Sequence, residues 1–491
     1  MAPRPRAAQQ EVERPLAQPR WVSFRDPAGT VLVVRDRILR LVPQSGVPCL
    51  EAYLQSEVAR RYESSGRLVG SRVLSSHEVQ ELASVGILAD DGLVLEHEPV
   101  WFPSFPYEWP PEMLHAAGRL TLDLAADLLE EGRGLKDATP YNVLFRGPQP
   151  VFIDVLSIED RDPKDPVWLA YAQFIRTFVL PLLANKFCGM PVEVALLSRR
   201  DGLEPEEVYR WLTWRQRLRP ALLSQVSVPT WLGRWRRDDL SLYRSRRVAD
   251  PEKARFILRV LLARLRRLLV KCVPPCGSSS WSAYETSHTH YSAEQWAAKE
   301  SFVRRVLRDF RPSRVLDVGC NVGGFSLMAA KCGAQVVAID RDAAVVGELW
   351  RRAIAEQLDV LPLVVDFARP SPAVGWRNRE CPSFLDRARG QFDLVMMLAM
   401  LHHLVVSERI PVSEVLGLAA ELTSRLLLIE YVDPQDRMFR RIARGRDELH
   451  RDLTLESFKA VCSAQFRVLE SFRLADGDRW LFLLEKKSSP E

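Results

Sequence analysis

A glycine-rich turn that follows an acidic residue is the most informative feature of the second half of the chain. Val315-Leu-Asp-Val-Gly-Cys-Asn-Val-Gly-Gly324 runs from a short apolar segment, through Asp317, into the turn. A dinucleotide-binding turn needs glycine at the position of Asn321, because the backbone there must approach a pyrophosphate closely. The residues therefore favour a ligand without a pyrophosphate, and Asp317 favours a ligand that carries a positive charge.

A second acidic residue, Asp340, ends the next apolar segment, 23 residues after Asp317. At the end of a second strand, such a carboxylate can accept hydrogen bonds from both hydroxyl groups of a ribose. S-adenosylmethionine combines a ribose with a positive charge and has no pyrophosphate. It is the ligand that these residues fit best.

These residues need a sheet whose strands end at one edge, and the surrounding pattern predicts it. Segments typical of strands and helices alternate beyond residue 290, as expected for parallel βαβ units in a doubly wound α/β sheet. The predicted strands are 314–318, 335–339, 360–365 and 392–398, and the predicted helices are 293–310, 324–332 and 343–356. Asp393, at the start of the fourth strand, lies away from the ligand edge and is expected to be structural.

The first half of the chain has a mixed pattern that predicts an α+β domain. β-like segments at 30–34, 92–95 and 151–155 alternate with helical stretches at 112–131 and 168–183. A basic helix at 251–273 and a Pro-, Gly- and Ser-rich cluster at 274–280 follow, and the cluster is typical of a linker. The predicted division is a flexible tail at 1–20, an N-terminal domain at 21–250, a linker helix and loop at 251–280, and a C-terminal domain at 281–491.

Four segments of the C-terminal half together resemble the successive motifs of class I S-adenosylmethionine-dependent methyltransferases. They are Leu316-Asp-Val-Gly-Cys-Asn-Val-Gly-Gly324, Ala338-Ile-Asp340, Val365-Asp-Phe367 and Phe392-Asp-Leu-Val-Met-Met-Leu-Ala-Met-Leu-His-His-Leu404. More narrowly, the stretch 366–378, the histidine pair in the last segment and Ile429-Glu430 resemble the nodulation protein NoeA-like branch. The resemblance covers about residues 281 to 486. It implies a Rossmann-like fold with S-adenosylmethionine as the cofactor.

The resemblance also implies which residues bind the cofactor. Gly319 and Gly323 would admit its methionine part, and Asp317 would orient the loop or contact the cofactor's amino group. Asn321 stands where glycine is more usual in the family, so the resemblance does not fix the detailed path of this loop.

Four further residues follow from the same resemblance, all at or after strand ends. Asp340 would hold the ribose. Asp366 would accept a hydrogen bond from the adenine amino group, with Phe367 beside the ring. Leu398 would line the reactive end of the cofactor.

Methyl transfer from a sulfonium depends on in-line alignment and exclusion of water more than on covalent catalysis. An oxygen or nitrogen acceptor can additionally need a base, and the candidate catalytic residues are His402, His403 and Glu430. Adjacent residues on a helix point in different directions, so we expect at most one of the two histidines to face the pocket. Glu430 and Trp376 are also candidates for contacts with the acceptor.

A second set of residues with the spacing of a chemical site lies in the first half. Leu135-Lys-Asp-Ala-Thr-Pro-Tyr-Asn-Val-Leu-Phe145, followed by Val151-Phe-Ile-Asp154, resembles the catalytic and metal loops of kinase-like phosphotransferases. In such a site Asp137 would face the acceptor hydroxyl, while Asn142 and Asp154 would hold magnesium.

The parts that grip nucleotide phosphates are missing from this half. No lysine precedes Lys136 and no G-x-G-x-x-G loop occurs. Arg35, Arg37 or Arg40 could stand in for the lysine, but arginine and lysine are not interchangeable in a tight phosphate site. We therefore expect a degenerate kinase-like or acceptor-binding module. An active kinase and an unrelated fold are the open alternatives.

Composition bounds the possible functions. The 491 residues carry 68 Lys and Arg against 63 Asp and Glu, and 47% are hydrophobic. These values are typical of two or three globular domains and do not indicate a nucleic-acid or membrane surface. Eight scattered cysteines fit reduced thiols in a cytoplasm. The spacing of Cys272 and Cys276 lies outside that of zinc fingers, so no metal site is predicted.

The sequence therefore predicts a cytoplasmic methyltransferase without a membrane span. Its acceptor is unidentified, and a small molecule or a glycan-like molecule is possible. The N-terminal half would be a specificity or accessory module. The alternative is a bifunctional enzyme or a kinase-like binding protein in which the S-adenosylmethionine domain acts as a sensor.

Overall fold

The computed structural model describes residues 22–23, 25–34, 37–84, 93–233, 247–273, 291–474 and 477–487. The predicted tail at 1–20 and linker loop at 274–280 lie outside these ranges. No helix within them is both long and apolar enough to cross a membrane.

The first half contains an antiparallel sheet and several helices, in agreement with the predicted α+β class. The sheet has the order β1-β2-β3-β5-β4, with β1 at Val22–Ser23, β2 at Thr30–Val34, β3 at Arg37–Val42, β4 at Ser71–Val73 and β5 at Leu93–His97. Four shorter strands follow at β6 Arg133–Leu135, β7 Val143–Arg146, β8 Gln149–Phe152 and β9 Ile158–Asp160. Strand β6 pairs with β9, and β7 pairs with β8 in a hairpin.

The described helices of this half begin and end as follows: α1 Val47–Gln55, α2 Glu57–Ser64, α3 Ser76–Ser84, α4 Pro111–Glu130, α5 Tyr171–Phe174, α6 Leu180–Cys188, α7 Val192–Ser198, α8 Pro205–Trp211, α9 Trp214–Arg217, α10 Pro220–Leu222, α11 Val228–Gly233 and α12 Pro251–Lys271. A π-helical segment at Ile175–Val179 joins α5 to α6. The predicted sequence of a helix near 112–131, a loop and a β-hairpin is confirmed by α4, β7 and β8.

Helix α4 lies at the centre of the first half. Proline fits the start of this helix because N–H groups in the first turn have no partner within the helix. The apolar residues between Met113 and Leu129 are buried on more than one face of the helix. The basic helix α12 packs along it, with Arg259 paired to Glu130 and Arg266 paired to Asp123. The predicted basic helix is thus confirmed, and it packs on the first half. The division of the chain at residue 250 stays a prediction.

The second half folds into the predicted doubly wound α/β sheet. The strands are β10 Arg314–Val318, β11 Gln335–Asp340, β12 Val360–Val364, β13 Phe392–Met397, β14 Thr423–Val432, β15 Phe466–Arg473 and β16 Arg479–Lys486. Their order is β12-β11-β10-β13-β14-β16-β15, and only the pairs that involve β16 are antiparallel. The order therefore reverses between β10 and β13, where ligands of such sheets bind.

Helices cover both faces of this sheet. They are α13 Ala293–Phe310, α14 Gly324–Lys331, α15 Ala343–Glu356, α16 Phe384–Ala388, α17 Val412–Leu422, α18 Arg437–Ala443 and α19 Leu455–Gln465, with a π-helical turn at His403–Ser407. Local signals explain several boundaries: Ser292 and Gln295 form a capping box at the start of α13, and Asp342 caps α15. Asp393 accepts hydrogen bonds from the backbone N–H groups of Ser313 and Arg314, which confirms its structural role.

A buried ion pair and an aromatic cluster join the two halves. Arg387 of α16 bonds to Glu108 of the first half, and both side chains are almost completely buried. Phe102 packs against Phe384 and Phe392 at ring distances of 5.9 Å. Because a buried charge is costly unless it is paired, each half supplies a group that the other needs.

Candidate active site

The pocket at the switch point between β10 and β13 contains most of the predicted site residues. Six of the eight predicted cofactor residues line it, and so do both predicted histidines. Its lining is Gly319, Asn321, Ile339, Asp340, Arg341, Val365, Asp366, Phe367, Ala368, Leu398, Ala399, Met400, His402, His403, Leu404, Ser407, Glu408, Met438 and Arg479. Asp317, Gly323 and Glu430 are not part of that lining.

The glycine-rich turn is shaped for close approach to the pocket. Gly319 has a φ of 74° and Asn321 a φ of 51°, both in the left-handed region that glycine adopts without strain. A Cβ on Gly319 would collide with the side chain of Met400. Asn321 tolerates this conformation because its Oδ1 accepts a hydrogen bond at 2.7 Å from the backbone N–H of Val322. Asn321 therefore adopts the backbone conformation usual for glycine, and the turn still borders the pocket.

Asp340 ends β11 and faces the pocket from the turn's other side. Its Oδ2 accepts a hydrogen bond from the backbone N–H of Asn321 at 3.1 Å, and its Oδ1 accepts one from Asp342 at 3.0 Å. Burial raises the pKa of Asp340, although these two bonds oppose that shift. Among the described residues, only these backbone groups donate to the carboxylate, which leaves lone pairs for hydroxyl donors of a ligand.

Asp317 and Gly323 lie behind the pocket wall. Asp317 is fully buried, and burial raises its pKa to about 6 even though Ser326 donates a hydrogen bond to it at 2.6 Å. Gly323 begins α14 with a φ of 81°, and a Cβ there would collide with Leu349. Both residues therefore support the turn and its packing.

The far end of the pocket is formed by the segments after β12 and β13. Asp366 and Phe367 follow β12, and Asp366 accepts a hydrogen bond from the backbone N–H of Ala368 at 3.0 Å. Leu398 and Ala399 follow β13. Ala399 has a φ of 56°, a strained conformation for a residue with a side chain. The pocket thus has an acidic end near Asp366 and an apolar wall at Leu398.

Both histidines line the pocket, so the expectation that at most one would face it is wrong. Their rings lie 4.3 Å apart with an interplanar angle of 41°. His402 ends a short α-helical turn and His403 begins a wider π-helical turn, and this change of winding places neighbouring side chains on one side. His402 is buried, whereas His403 is partly exposed.

Glu430 is completely buried and fully engaged by protein groups. It forms an ion pair with Lys299 at 2.6 Å and one with Arg479 at 3.3 Å, and it accepts a hydrogen bond from the Tyr291 hydroxyl at 2.7 Å. Burial alone would raise its pKa, but Lys299 and Arg479 outweigh burial and lower the pKa. It also accepts a hydrogen bond at 3.0 Å from the backbone N–H of Ala399. These contacts are more typical of a residue that positions the pocket wall than of a catalytic base.

Arg479 is the main pocket residue that sequence reasoning missed. It begins β16, and Asp436 holds its Nε at 2.9 Å and its Nη2 at 3.1 Å, while Nη1 bonds to Tyr291. A cation therefore lies at the pocket wall in a fixed orientation. The residues of this network come from four separate segments, and no local motif marks them as neighbours.

In the first half, the predicted polar residues also lie close together. The Asn142 side chain donates to Asp154 Oδ2 at 3.3 Å, and Gln173 donates to Asp137 Oδ1 at 3.3 Å. The geometric prediction for Asn142 and Asp154 is confirmed. Among the residues that the structure describes, no group of three or more acidic, histidine or cysteine side chains has the arrangement of a metal site.

Arg40 explains why Asp154 is not free for a metal ion. This arginine lies on β3, and its Nη1 approaches Asp154 Oδ1 at 2.5 Å and Asp26 Oδ2 at 3.7 Å. Lys136 adds a second cation 3.2 Å from Asp26. Asp26 and Asp154 are therefore neutralised by the protein's own cations.

The loop that carries Trp376 contacts the first half. Trp376 is exposed and lies outside the pocket lining. Glu380 of the same loop is held by Arg25 at 2.5 Å and Arg200 at 2.8 Å, both from the first half. The first half thereby fixes the position of a loop of the second half.

Comparison with known proteins agrees with this architecture. A family model described as "Methyltransferase domain" matches residues 288–464. The nodulation protein NoeA of Rhizobium meliloti (strain 1021) is 31% identical over 473 residues, which span 94% of this chain and 95% of that protein.

Two solved structures resemble parts of the chain. The PH0226 protein of Pyrococcus horikoshii OT3 is 16% identical and covers 43% of this chain and all of its own, with a TM-score of 0.31. The N-methyltransferase NodS of Bradyrhizobium japonicum WM9 is 15% identical and covers 40% of this chain and 99% of its own, with a TM-score of 0.30.

The sheet order and the matched domain agree with the sequence motifs, and the resemblance to NoeA extends over both halves. The cofactor of such a domain is S-adenosylmethionine. The chain belongs to the nodulation protein NoeA family and is a class I S-adenosylmethionine-dependent methyltransferase.

Proposed function

We propose that this chain methylates a small or glycan-like acceptor in the pocket between β10 and β13, and that its first half acts as an accessory or specificity module. The observation that carries the proposal is the pair of carboxylates, Asp340 and Asp366, at the ends of adjacent parallel strands and in one pocket. Carboxylates in this position suit a ligand with hydroxyl and amino donors.

The residues divide into those that would hold the cofactor and those that would act on the acceptor. Asp340 would accept hydrogen bonds from the ribose, and Asp366 with Phe367 would hold the adenine. Gly319, which lines the pocket in close contact with Met400, would face the methionine part. When bound, S-adenosylmethionine supplies an electrophilic methyl group. The chain's task is then to align the acceptor and exclude water.

Two histidines are the candidate proton acceptors. His402 and His403 line the same pocket as Leu398, which would lie at the reactive end of the cofactor. A neutral imidazole can take a proton from an oxygen or nitrogen acceptor near neutral pH. Glu430 would serve as a positioning residue, because its two cations and its bond to Ala399 keep the strained wall in place.

Calorimetric titration of the full chain with S-adenosylhomocysteine tests the cofactor assignment. We expect Asp340→Ala to weaken binding by about 1.5–3 kcal/mol, the range for hydrogen bonds to a charged group. Asp359→Ala is the matched control, because Asp359 precedes β12 at the opposite edge of the sheet. Unchanged affinity in a folded Asp340→Ala protein would disprove the ribose contact.

A further inference from the structure

A second cavity lies on the far side of the turn that covers the active site. Its volume is about 290 Å³. The lining residues are Val405, Val406, Arg409, Ile410, Pro411, Ala443, Arg446, Leu449 and His450. None of these residues lines the cofactor pocket. We refer to this space as the outer cavity.

The outer cavity and the cofactor pocket share one helical turn as their wall. His403, Leu404, Ser407 and Glu408 line the cofactor pocket, whereas residues 405, 406, 409 and 410 line the outer cavity. Within the turn, His403, Leu404 and Ser407 thus border one space, and Val405 and Val406 border the other. Arg409 and Ile410 lie beyond its end, where Arg409 has a left-handed backbone conformation with a φ of 58°. The π-helical turn at His403–Ser407 therefore separates two distinct spaces.

The outer cavity has the chemistry of a site for an organic anion. Arg409 and Arg446 lie at its sides together with His450, and no carboxylate is found among its lining residues. Within the described part of the chain, neither guanidinium has a hydrogen bond or ion pair. Two glutamates that lie close to these arginines in the chain already have other partners: Glu408 pairs with Arg369 at 3.1 Å and Glu448 with Arg451 at 2.6 Å.

The remaining lining supplies a fixed and apolar surface. Val405, Val406 and Ile410 form one side, and Ile410 is anchored by a hydrogen bond at 3.0 Å to the carbonyl of Leu404. The His450 ring packs edge-on against the buried ring of Phe439 at 5.4 Å. A cavity with an apolar wall and two arginines in its lining resembles small-molecule sites in general.

We propose that the outer cavity binds a phosphate or carboxylate group attached to an apolar body. Guanidinium groups suit both anions because their planar donors can form two parallel hydrogen bonds with each. The apolar body would lie on Val405, Val406 and Ile410. This site is separate from the cofactor pocket, and its occupant contacts the turn that carries His403 without entering the active site.

Binding of phenyl phosphate to the full chain, followed by ligand-observed NMR and calorimetry, tests the proposal. We expect the Arg409→Gln/Arg446→Gln variant to bind phenyl phosphate at least about tenfold more weakly than the unsubstituted chain. The matched control is Arg441→Gln/Arg444→Gln, which removes the same charge from exposed positions nearby that do not line the cavity. That control should bind with unchanged affinity.

Three further arms separate the possible outcomes. Benzoate in place of phenyl phosphate shows which anion the site prefers, and benzyl alcohol, which has no charge, should not bind. Saturation with S-adenosylhomocysteine should leave phenyl phosphate binding intact. Equal weakening in both double variants, absence of binding to the unsubstituted chain, or competition with S-adenosylhomocysteine would each overturn the proposal.

Discussion

The two halves of the chain each collect acidic side chains in one place, but Asp340 of the second half and Asp154 of the first half have opposite kinds of partner. At the end of β11, Asp340 is held, within the part of the chain that the structure describes, only by backbone N–H groups. In the first half, Asp154 already has a guanidinium partner, because Arg40 reaches it from β3 at 2.5 Å. One carboxylate is arranged for an external partner, whereas the other has an internal one.

This difference separates a binding site from a structural cluster that has the same residue types. A carboxylate paired with an internal cation contributes to stability, and a competing metal ion must first displace that cation. Burial raises the pKa of a carboxylate that has no such partner. A bound ligand that donates hydrogen bonds to the carboxylate stabilises its ionised form. Residue spacing alone does not distinguish the two cases. The partner of each carboxylate does.

The largest expected effect is the loss of stability when Arg40 is replaced. Arg40→Met leaves the mostly buried Asp154 without its cation and should lower the free energy of unfolding by about 3–5 kcal/mol. Arg37→Met is the control, because Arg37 lies on the same strand and its pair with Glu96 is more exposed, so we expect at most about 1 kcal/mol. Urea unfolding measures both. Equal losses would mean that Asp154 does not depend on Arg40.

The next largest effect concerns turnover in the second half. His402→Ala or His403→Ala should lower methyl transfer to the true acceptor by about 100-fold if that histidine is the base, with S-adenosylhomocysteine affinity retained. Full turnover in both histidine variants would exclude base catalysis by these residues.

Glu430→Gln should instead lower the thermal unfolding midpoint, because Lys299 and Arg479 lose their buried partner.

A pH titration sharpens the contrast through Asp317. Its pKa is raised from 3.8 to about 6, so ionisation of Asp317 costs stability as the pH rises through that window. Because Asp317 lies behind the pocket wall, the effect falls on stability. The free energy of unfolding should fall by up to about 1.4 kcal/mol per pH unit between about pH 4 and pH 6 and level off above that window, which urea unfolding at several pH values measures.

Two variants test the origin of this pH dependence. Asp317→Asn should abolish it. Ser326→Ala should move it to higher pH, because the hydrogen bond from Ser326 lowers the pKa of Asp317. An equal pH dependence of the free energy of unfolding in the unsubstituted chain and in the Asp317→Asn variant would contradict the assignment.

The smallest expected effect is in the first half. Because Arg40 occupies Asp154, we expect no magnesium-dependent ATP hydrolysis, and Asp154→Ala should leave that background unchanged. A phosphate-release assay with and without magnesium measures this. Hydrolysis that Asp154→Ala abolishes would contradict a purely structural role of Asp154 and support the bifunctional alternative.

The sheet of the second half is well predicted by the sequence, because its signals are local. The predicted strand 314–318 and helices 293–310 and 343–356 coincide with β10, α13 and α15. The turn from Asp317 to Gly324 and the end of β11 mark the pocket through residue types and spacing alone. Alternating apolar segments, caps and turn residues all act over fewer than about 20 residues.

The role of Glu430 is not predictable in the same way. Its partner Lys299 lies 131 residues earlier in the chain, and Arg479 lies 49 residues later. A glutamate at a strand end suggests a base when these cations are unknown, and the structure shows them on both carboxylate oxygens. For the same reason, the sequence offers Arg40 only as one of several possible substitutes for a lysine and does not reveal its pairing with Asp154.

The aromatic cluster between the halves has a consequence for how this protein is made. Phe102 emerges from the ribosome with the first half, but its partner Phe392 follows 290 residues later. At bacterial-type synthesis rates this interval lasts roughly 15 to 60 seconds. During that time Phe102 lacks the native partners Phe384 and Phe392 that cover it in the folded chain. The nascent first half is therefore the stage at which we expect the greatest dependence on chaperones.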